Sequence, residues 1–343
     1  MVLILFQKIQ REILMQNRPR RNRKSEAIRR LVTETKLHTD NLIYPLFLVD
    51  GSGVRDEIQS LPGNFRWSHD KVLFEIDECV ELGLNNFILF PKVNNSKKDK
   101  VGTYSYADDN FYLSICRTIK NKFPEVTLIS DVALDPYSVD GHDGIVQNGI
   151  IQNDETLEVL CKMSLAQADA GFDILGPSDM MDGRVGAMRM TLDQNGYTDT
   201  SIMSYTAKYA SAYYGPFRDA LDSAPVDSDD IPSDKKSYQM NPANKQEALI
   251  EAELDELEGA DFLMVKPALH YLDIIHLLKE NSNLPIAAYH VSGECAMLTA
   301  ACRNGWLDFQ SAMPEVLLSI RRAGCDAIIT YFAKDYAKWI AKR

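Results

Sequence analysis

A chain of 343 residues is long enough for one large domain or two ordinary ones. Its composition, 45% hydrophobic and 25% charged, is typical of a globular protein, and its net charge of −12 argues against general nucleic-acid binding. No apolar run approaches the roughly 20 residues of a membrane-spanning helix. The six cysteines include no CxxC pair and no signal-peptide pattern follows Met1, so we expect a reduced, cytoplasmic protein.

The first 40 residues precede the first strand-like run and are predicted to form an extended arm. Its basic stretch, Arg18–Lys24, is interpreted as a surface arm or a subunit contact rather than a nucleic-acid tail. We therefore expect neither a nucleic-acid partner nor a membrane partner.

Eight short apolar runs follow, typical of buried parallel strands, at Leu42–Phe47, Asn86–Phe90, Thr127–Asp131, Asp173–Leu175, Ile202–Tyr205, Phe262–Lys266, Ile286–His290 and Ala327–Tyr331. Helical patterns lie between most of them, at Lys71–Leu82, Phe111–Lys120, Glu155–Ala170, Lys245–Leu257, Tyr271–Lys279 and Phe309–Arg322. This alternation predicts a (β/α)₈ TIM barrel over residues 41–343. A doubly wound open sheet is the alternative, weakened because no GxGxxG motif follows the first strand.

One short pattern recurs where a predicted helix gives way to a strand. It reads Leu82-Gly-Leu-Asn85, Ala170-Gly-Phe-Asp173, Glu258-Gly-Ala-Asp261 and Ala323-Gly-Cys-Asp326. A glycine can take the left-handed conformation that ends a helix, and Asp or Asn favours the turn that follows. Four such turns support repeated αβ units.

Two lysines lie at or just beyond the ends of predicted strands. Lys266 ends the run Phe262–Lys266, and Lys208 follows Ile202–Tyr205. Burial favours the neutral form of a lysine, and a neutral amine attacks ketones to form Schiff bases. A single lysine at such a place is usually a solvated charge. Two of them on consecutive strands predict an enzyme that holds carbonyl substrates covalently.

An acidic loop follows the third predicted strand. Residues 131–144 contain Asp131, Asp135, Asp140, Asp143 and His142. Carboxylates suit magnesium, and they also bind substrate ammonium groups or relay protons, while Asp and Gly equally favour plain turns. The sequence leaves these roles open.

Polar residues also follow the fourth predicted strand, and a long segment follows the fifth. Ser178 and Asp179 lie either at a reactive strand end or at the N-cap of a helix. Residues 209–244 are long for a loop and rich in Ser, Asp and Pro, so we predict an active-site lid rather than a passive loop. Arg218 and Lys235 in this lid could bind a substrate carboxylate.

With these residues assembled, the chain resembles the porphobilinogen synthase (5-aminolevulinate dehydratase) family from about Arg18 to the C-terminus. The motifs that carry the resemblance are long, at Ser130–Gly144, Gly176–Arg189, Ser204–Asp219, Tyr238–Asn244, Phe262–Asp273 and Ala288–Met297. The family is a (β/α)₈ barrel with an N-terminal arm, usually octameric, that condenses two 5-aminolevulinate molecules into porphobilinogen in tetrapyrrole synthesis. The resemblance therefore implies this lyase activity and a homo-octamer.

The resemblance also implies roles for individual residues. Lys266 would form a Schiff base with the first substrate molecule, which supplies the propionate side of the product. Lys208 would form one with the second, which supplies the acetate side. Ser292 and Tyr331 would bind the carboxylate of the first molecule, and Arg218 and Lys235 that of the second. The other residues expected in the site are catalytic Asp131, Asp135 and Asp143 and substrate-contacting Ser178, Phe217 and Gln239.

The resemblance bears on metals as well. Zinc-dependent members of the family have three cysteines at the positions of Ala133, Asp135 and Asp143, so this chain resembles the cysteine-free, magnesium-type branch and no active-site zinc is expected. Glu251 matches the family's allosteric magnesium site. Another class I Schiff-base aldolase is the alternative function, and a silent scaffold or metal-binding assembly protein ranks third.

Overall fold

The computed structural model describes residues 17–226, 228 and 230–342. Its strands there are β1 (Leu42–Val49), β2 (Arg55–Glu57), β3 (Phe65–Trp67), β4 (Asn86–Lys92), β5 (Thr127–Ile129), β6 (Ile145–Gln147), β7 (Ile150–Gln152), β8 (Ile174–Leu175), β9 (Ser201–Lys208), β10 (Phe262–Lys266), β11 (Ile286–His290) and β12 (Ala327–Thr330). Its helices are α1 (Glu26–Leu31), α2 (His69–Glu81), α3 (Phe111–Lys122), α4 (Asn153–Ala170), α5 (Arg184–Gln194), α6 (Gly215–Leu221), α7 (Glu247–Glu258), α8 (Leu272–Asn281), α9 (Ser292–Arg303), α10 (Phe309–Ala323) and α11 (Ala333–Ala341).

Eight parallel strands close into a barrel in the order β1, β4, β5, β8, β9, β10, β11 and β12. Closure is direct, because β12 pairs with β1 in parallel. β1 and β9 are buried along almost their whole length, since barrel strands are covered by side chains inside and by helices outside. The predicted (β/α)₈ barrel is confirmed, and the open-sheet alternative is wrong.

All eight predicted strands are barrel strands, with ends that differ by up to three residues. The sequence missed helices α5, α9 and α11, besides the short α1 and α6. The apolar side chains of α5 do not form one clear stripe, and α9 is rich in small residues, so neither shows strong helical periodicity.

The recurring turn has a role that its sequence did not reveal. Gly171 and Gly259 end their helices with φ of 98° and 99°, as predicted. The aspartate two residues later accepts a hydrogen bond from a backbone amide of the neighbouring strand. Asp173, Asp261 and Asp326 bind the amides of Leu128, Ile202 and Ile286 at 2.8, 2.8 and 3.0 Å. Each of these three repeats therefore joins two barrel strands.

Residues 1–36 and 37–343 form two separate units. The described part of the first, residues 17–36, contains a 3₁₀ helix at Pro19–Arg23 and α1, whose N-cap Ser25 accepts the amide of Ile28 at 3.4 Å. The predicted boundary at residue 40 and the use of the arm in subunit contacts stay predictions. No helix in the described residues has the length and hydrophobicity that a membrane span requires.

Candidate active site

The two predicted lysines lie side by side at the carboxyl ends of adjacent barrel strands. Lys208 ends β9, Lys266 ends β10, and the two are register partners. Both are buried, at 5% and 6% exposure. In (β/α)₈ barrels the carboxyl ends of the strands form the active-site face. The strands thus place two amines at one point of that face.

Lys266 stands among aromatic rings. Its Nζ lies 5.0 Å from the ring centre of Tyr205, 5.2 Å from Tyr214, 5.0 Å from Phe217 and 4.6 Å from Tyr289. Burial and the neighbouring charge of Lys208 lower the pKa of Lys266 from 10.5 to about 7. A large share of this amine is therefore neutral and nucleophilic near neutral pH.

Lys208 is held instead by polar partners. It donates hydrogen bonds to Asp143 Oδ2 at 3.1 Å and to the backbone carbonyl of Ser178. The other oxygen of Asp143 accepts from Lys235 Nζ at 2.8 Å. Burial opposes the ionisation of Asp143, but the two ammonium groups outweigh it and hold its pKa below the usual range. Asp143 is thus an ionised bridge between the strand-end lysine and the lid.

Two other aspartates of the acidic loop, Asp131 and Asp135, are harder to ionise than Asp143. Burial and the charge of Asp135 raise the pKa of Asp131 to about 7. Burial also raises the pKa of Asp135, although Lys235 at 3.6 Å opposes this shift. Burial opposes the charged form of Lys235, yet Asp135 and Asp143 raise its pKa, so Lys235 stays cationic. The site therefore combines a fixed anion with a carboxyl group that titrates near neutrality.

A single cavity collects most of the predicted site residues. It is lined by Asp131, Asp135, Asp143, Ser178, Lys208, Tyr214, Phe217, Arg218, Lys235, Gln239 and Lys266. Ser292 and Tyr331 lie behind this lining. The Ser292 hydroxyl accepts the amide of Phe217 at 3.0 Å, and the Tyr331 and Tyr289 hydroxyls are 3.0 Å apart. Of the twelve predicted catalytic and substrate-binding residues, ten line the cavity and Ser292 contacts a lining residue. Within the described residues, Tyr331 does not contact the lining through a hydrogen bond; its hydroxyl faces that of Tyr289.

The N-cap interpretation of Ser178 and Asp179 is wrong, because α5 begins only at Arg184, after Gly183. The Asp179 carboxylate accepts the amide of Met181 at 2.8 Å, which forms a tight turn. This turn aims the Ser178 carbonyl at Lys208.

Glu251, the predicted metal ligand, lies outside this cavity. It is on α7 and lines a separate cavity of about 610 Å³, which shares Gln239 with the first. Burial raises the pKa of Glu251 to about 7. No group of three or more His, Cys, Asp or Glu side chains with metal-binding geometry occurs in the described part of the chain.

Sequence reasoning missed the aromatic surroundings of Lys266 and the side chains that hold the lid. Tyr205 and Tyr289 lie in strands β9 and β11, where they read as ordinary core residues. The sequence offered one sign of this role, for Tyr205 alone: it lies three residues before Lys208. Tyr238 opens one of the motifs that carry the family resemblance, but the sequence gives no sign that it contacts both His142 and Asp143.

Comparisons with known proteins point to one family. Residues 16–339 match the family described as Delta-aminolevulinic acid dehydratase. The chloroplastic dehydratase of Physcomitrium patens is 53% identical over 331 residues, 96% of this chain and 75% of that protein. The enzyme of Chlamydia pneumoniae is 51% identical over 321 residues, 94% and 95% of the two chains. The crystal structure of the Toxoplasma gondii enzyme with the reaction product porphobilinogen has a TM-score of 0.92 and 50% identity, and covers 95% of this chain and 92% of that chain.

Proposed function

Because this chain belongs to the delta-aminolevulinic acid dehydratase (porphobilinogen synthase) family, we propose that Lys266 and Lys208 each hold one substrate molecule as a Schiff base. The enzyme condenses two 5-aminolevulinate molecules into porphobilinogen with loss of two waters. One observation carries the assignment of the lysines: they are register partners that lie buried side by side at the ends of adjacent strands. The pKa of Lys266, lowered to about 7, supports it.

The reaction is proposed to proceed through one imine on each lysine. Each neutral amine adds to a substrate ketone, and loss of water gives an imine, so the two waters leave at this stage. One linked molecule then reacts as an enamine with the imine carbon of the other, which forms the carbon–carbon bond. The amino group of that other molecule adds to the imine carbon of the first, which forms the carbon–nitrogen bond and leaves each lysine on a carbon from which it can be expelled. Both lysines leave as amines, and final proton loss makes the pyrrole aromatic.

We assign the proton transfers to the aspartates. A carboxyl group with a pKa of about 7, such as Asp131, both accepts and donates protons near neutral pH. Asp143 keeps a fixed negative charge that orients Lys208 and Lys235. Asp135 is buried beside them and is assigned to the substrate amino group or to proton transfer.

The carboxylates of the two substrate molecules need cationic or hydroxyl partners. We assign one carboxylate to Arg218 and Lys235, which line the cavity from the lid, and the other to Ser292 and Tyr331. Ser178, Phe217 and Gln239 complete the contacts of the substrates. The lid would exclude water once both molecules are bound.

Borohydride reduction in the presence of substrate, followed by peptide mass analysis, tests the covalent scheme. An adduct on Lys266 is expected, and Lys266→Ala is expected to abolish turnover in a colorimetric pyrrole assay. Turnover without any adduct on Lys266 would reject the covalent role. The aldolase alternative needs one lysine only, and neither it nor a silent scaffold is favoured by any observation.

The donor groups present do not fit an active-site zinc ion. Ala133 has no donor side chain, and Asp135 and Asp143 are engaged by Lys235 and Lys208. Zinc prefers thiolate and imidazole ligands. We therefore place this chain in the branch whose metal loop lacks cysteine, although the chain has six cysteines elsewhere.

A magnesium ion fits better at Glu251. Magnesium uses one or two carboxylates and keeps several waters. Glu251 lines a roomy polar cavity together with Asp182 and Glu247, and no hydrogen bond or ion pair engages its carboxylate within the described residues. There the ion would neutralise the negative charge of Glu251, and it would stimulate the enzyme without taking part in the reaction. Stimulation by magnesium that Glu251→Gln removes would support this.

We propose a homo-octamer, with the arm in subunit contacts, and light scattering would measure its mass.

For the compartment, six free cysteines support a reducing environment. We propose the cytoplasm, and fluorescence microscopy of the tagged chain would show a plastid instead if it followed the chloroplastic relatives.

A further inference from the structure

His142 has no part in the reaction scheme, yet this residue of the acidic loop is completely buried against the lid. Its Nε2 lies 2.7 Å from the carbonyl oxygen of Pro232, and its Nδ1 lies 3.0 Å from the hydroxyl of Tyr238. A carbonyl only accepts, so Nε2 carries the hydrogen. Burial lowers the pKa of His142, so the ring is neutral and its Nδ1 accepts from the Tyr238 hydroxyl.

The Tyr238 hydroxyl in turn accepts the backbone amide of Asp143 at 3.3 Å. A continuous chain of hydrogen bonds therefore runs from the backbone of Asp143, through Tyr238 and His142, to the carbonyl of Pro232. Each polar atom of the His142 ring has one partner in this chain, so a single tautomer satisfies it.

The two points that His142 holds flank Lys235 in the sequence, three residues before it and three after it. One imidazole thus fixes both ends of the seven-residue segment 232–238. Within it, Asp234 and Lys236 are exposed while Lys235 is 6% exposed and reaches Asp143 Oδ1 at 2.8 Å. The exposed side chains of Asp234 and Lys236 contribute little packing to this segment, so polar contacts at its two ends help to hold it in place.

We propose that His142 and Tyr238 form a latch that positions Lys235 over the second substrate molecule. This inference rests on the proposed role of Lys235 as a ligand of the substrate carboxylate. His142 is a positioning residue, since it acts through Lys235 and touches neither lysine that forms a Schiff base. Loss of the latch would let segment 232–238 move, and would weaken the hold on substrate without changing the amine chemistry of Lys266.

A double-mutant cycle tests the latch. Tyr238→Phe keeps the ring and removes the hydroxyl, and His142→Gln keeps a hydrogen-bond donor but loses the imidazole. Each is expected to raise KM for 5-aminolevulinate roughly tenfold, the usual effect of one lost hydrogen bond. kcat and borohydride trapping on Lys266 should stay unchanged. In a Lys235→Met background both substitutions should have no further effect on KM.

Tyr197→Phe is the matched control, because its hydroxyl bonds Asp169 at 3.3 Å and Tyr197 lies outside both the lid and the acidic loop. Its KM should equal that of the wild type. If Tyr238→Phe raises KM as much in the Lys235→Met background as in the wild type, the latch does not act through Lys235 and the inference fails. If Lys235→Met itself leaves KM unchanged, the carboxylate role of Lys235 fails first. Tyr238→Phe alone decides the matter if His142→Gln does not fold.

Discussion

The charge of Lys208 should set the pH at which Lys266 becomes reactive. Burial is the largest cause of the low pKa of Lys266, and the charge of Lys208 is the next. Replacing Lys208 with Met removes that charge at similar side-chain length. We expect the pKa of Lys266 to rise, so that its neutral form appears only at higher pH.

The structure bounds the size of this effect. The two Nζ atoms lie 5.9 and 5.0 Å from the same Tyr205 ring centre, so they are within about 11 Å of each other. Two unit charges at about 11 Å repel by about 1.5 kcal/mol at an effective dielectric constant of about 20, which equals about one pKa unit. Loss of the partner of Asp143 adds to the shift in the same direction. The pKa should therefore rise from about 7 to about 8 or higher.

The assay is the rate of borohydride trapping of 5-aminolevulinate on Lys266 across the pH range. At pH 7 about half of Lys266 is neutral in the wild type and about a tenth in Lys208→Met, so trapping should slow roughly fivefold. The two rates should converge well above pH 9. Lys208→Arg is the control, because it keeps the charge and cannot form a Schiff base. Identical profiles for Lys208→Met and Lys208→Arg would refute the electrostatic reasoning.

Three further substitutions have separate expected outcomes. Arg218→Ala should raise KM roughly 10- to 100-fold with a smaller change in kcat, because a charge-assisted hydrogen bond contributes about 1.5–3 kcal/mol; steady-state kinetics would show whether kcat falls instead. Arg184→Met should lower the free energy of unfolding in urea by about 3–5 kcal/mol, because it leaves the buried carboxylates of Asp179 and Asp255 without a counter-charge. Each carboxylate lies 3.8 Å from the guanidinium, and an unchanged urea midpoint would contradict this expectation. Gly141→Ala should raise KM about tenfold, since a methyl group at φ +70° would overlap a backbone carbonyl of the lid, and a normal KM would show that the lid contact is dispensable.

Much of the fold was predictable because its signals are local. A short run of apolar residues between helical patterns predicts a buried strand, and all eight runs became barrel strands. Two of the helices that escaped prediction, α5 and α9, lack one strong apolar stripe. Periodicity is weak when a helix is covered on several sides or built from small residues.

The site residues were predictable in part. Lys208 and Lys266 stood out because each lies at or near the end of an apolar strand, and Arg218 because it is a cation in the long loop. Family resemblance supplied the carboxylate-binding roles of Ser292 and Tyr331. The latch was not predictable, because His142 and Tyr238 are 96 residues apart and look like ordinary loop residues. Only the folded chain brings such residues within hydrogen-bonding distance.

The sequence by itself determined the alternation of strands and helices, the turns between them, and the placement of two lysines at the carboxyl ends of consecutive barrel strands. The tertiary structure alone decided the charge states. Burial and a neighbouring ammonium lower the pKa of Lys266, while Asp143 is kept ionised by Lys208, 65 residues away, and Lys235, 92 residues away. The physical reason is that ionisation depends on burial and on charges within a few ångströms, which long-range packing sets and local sequence does not.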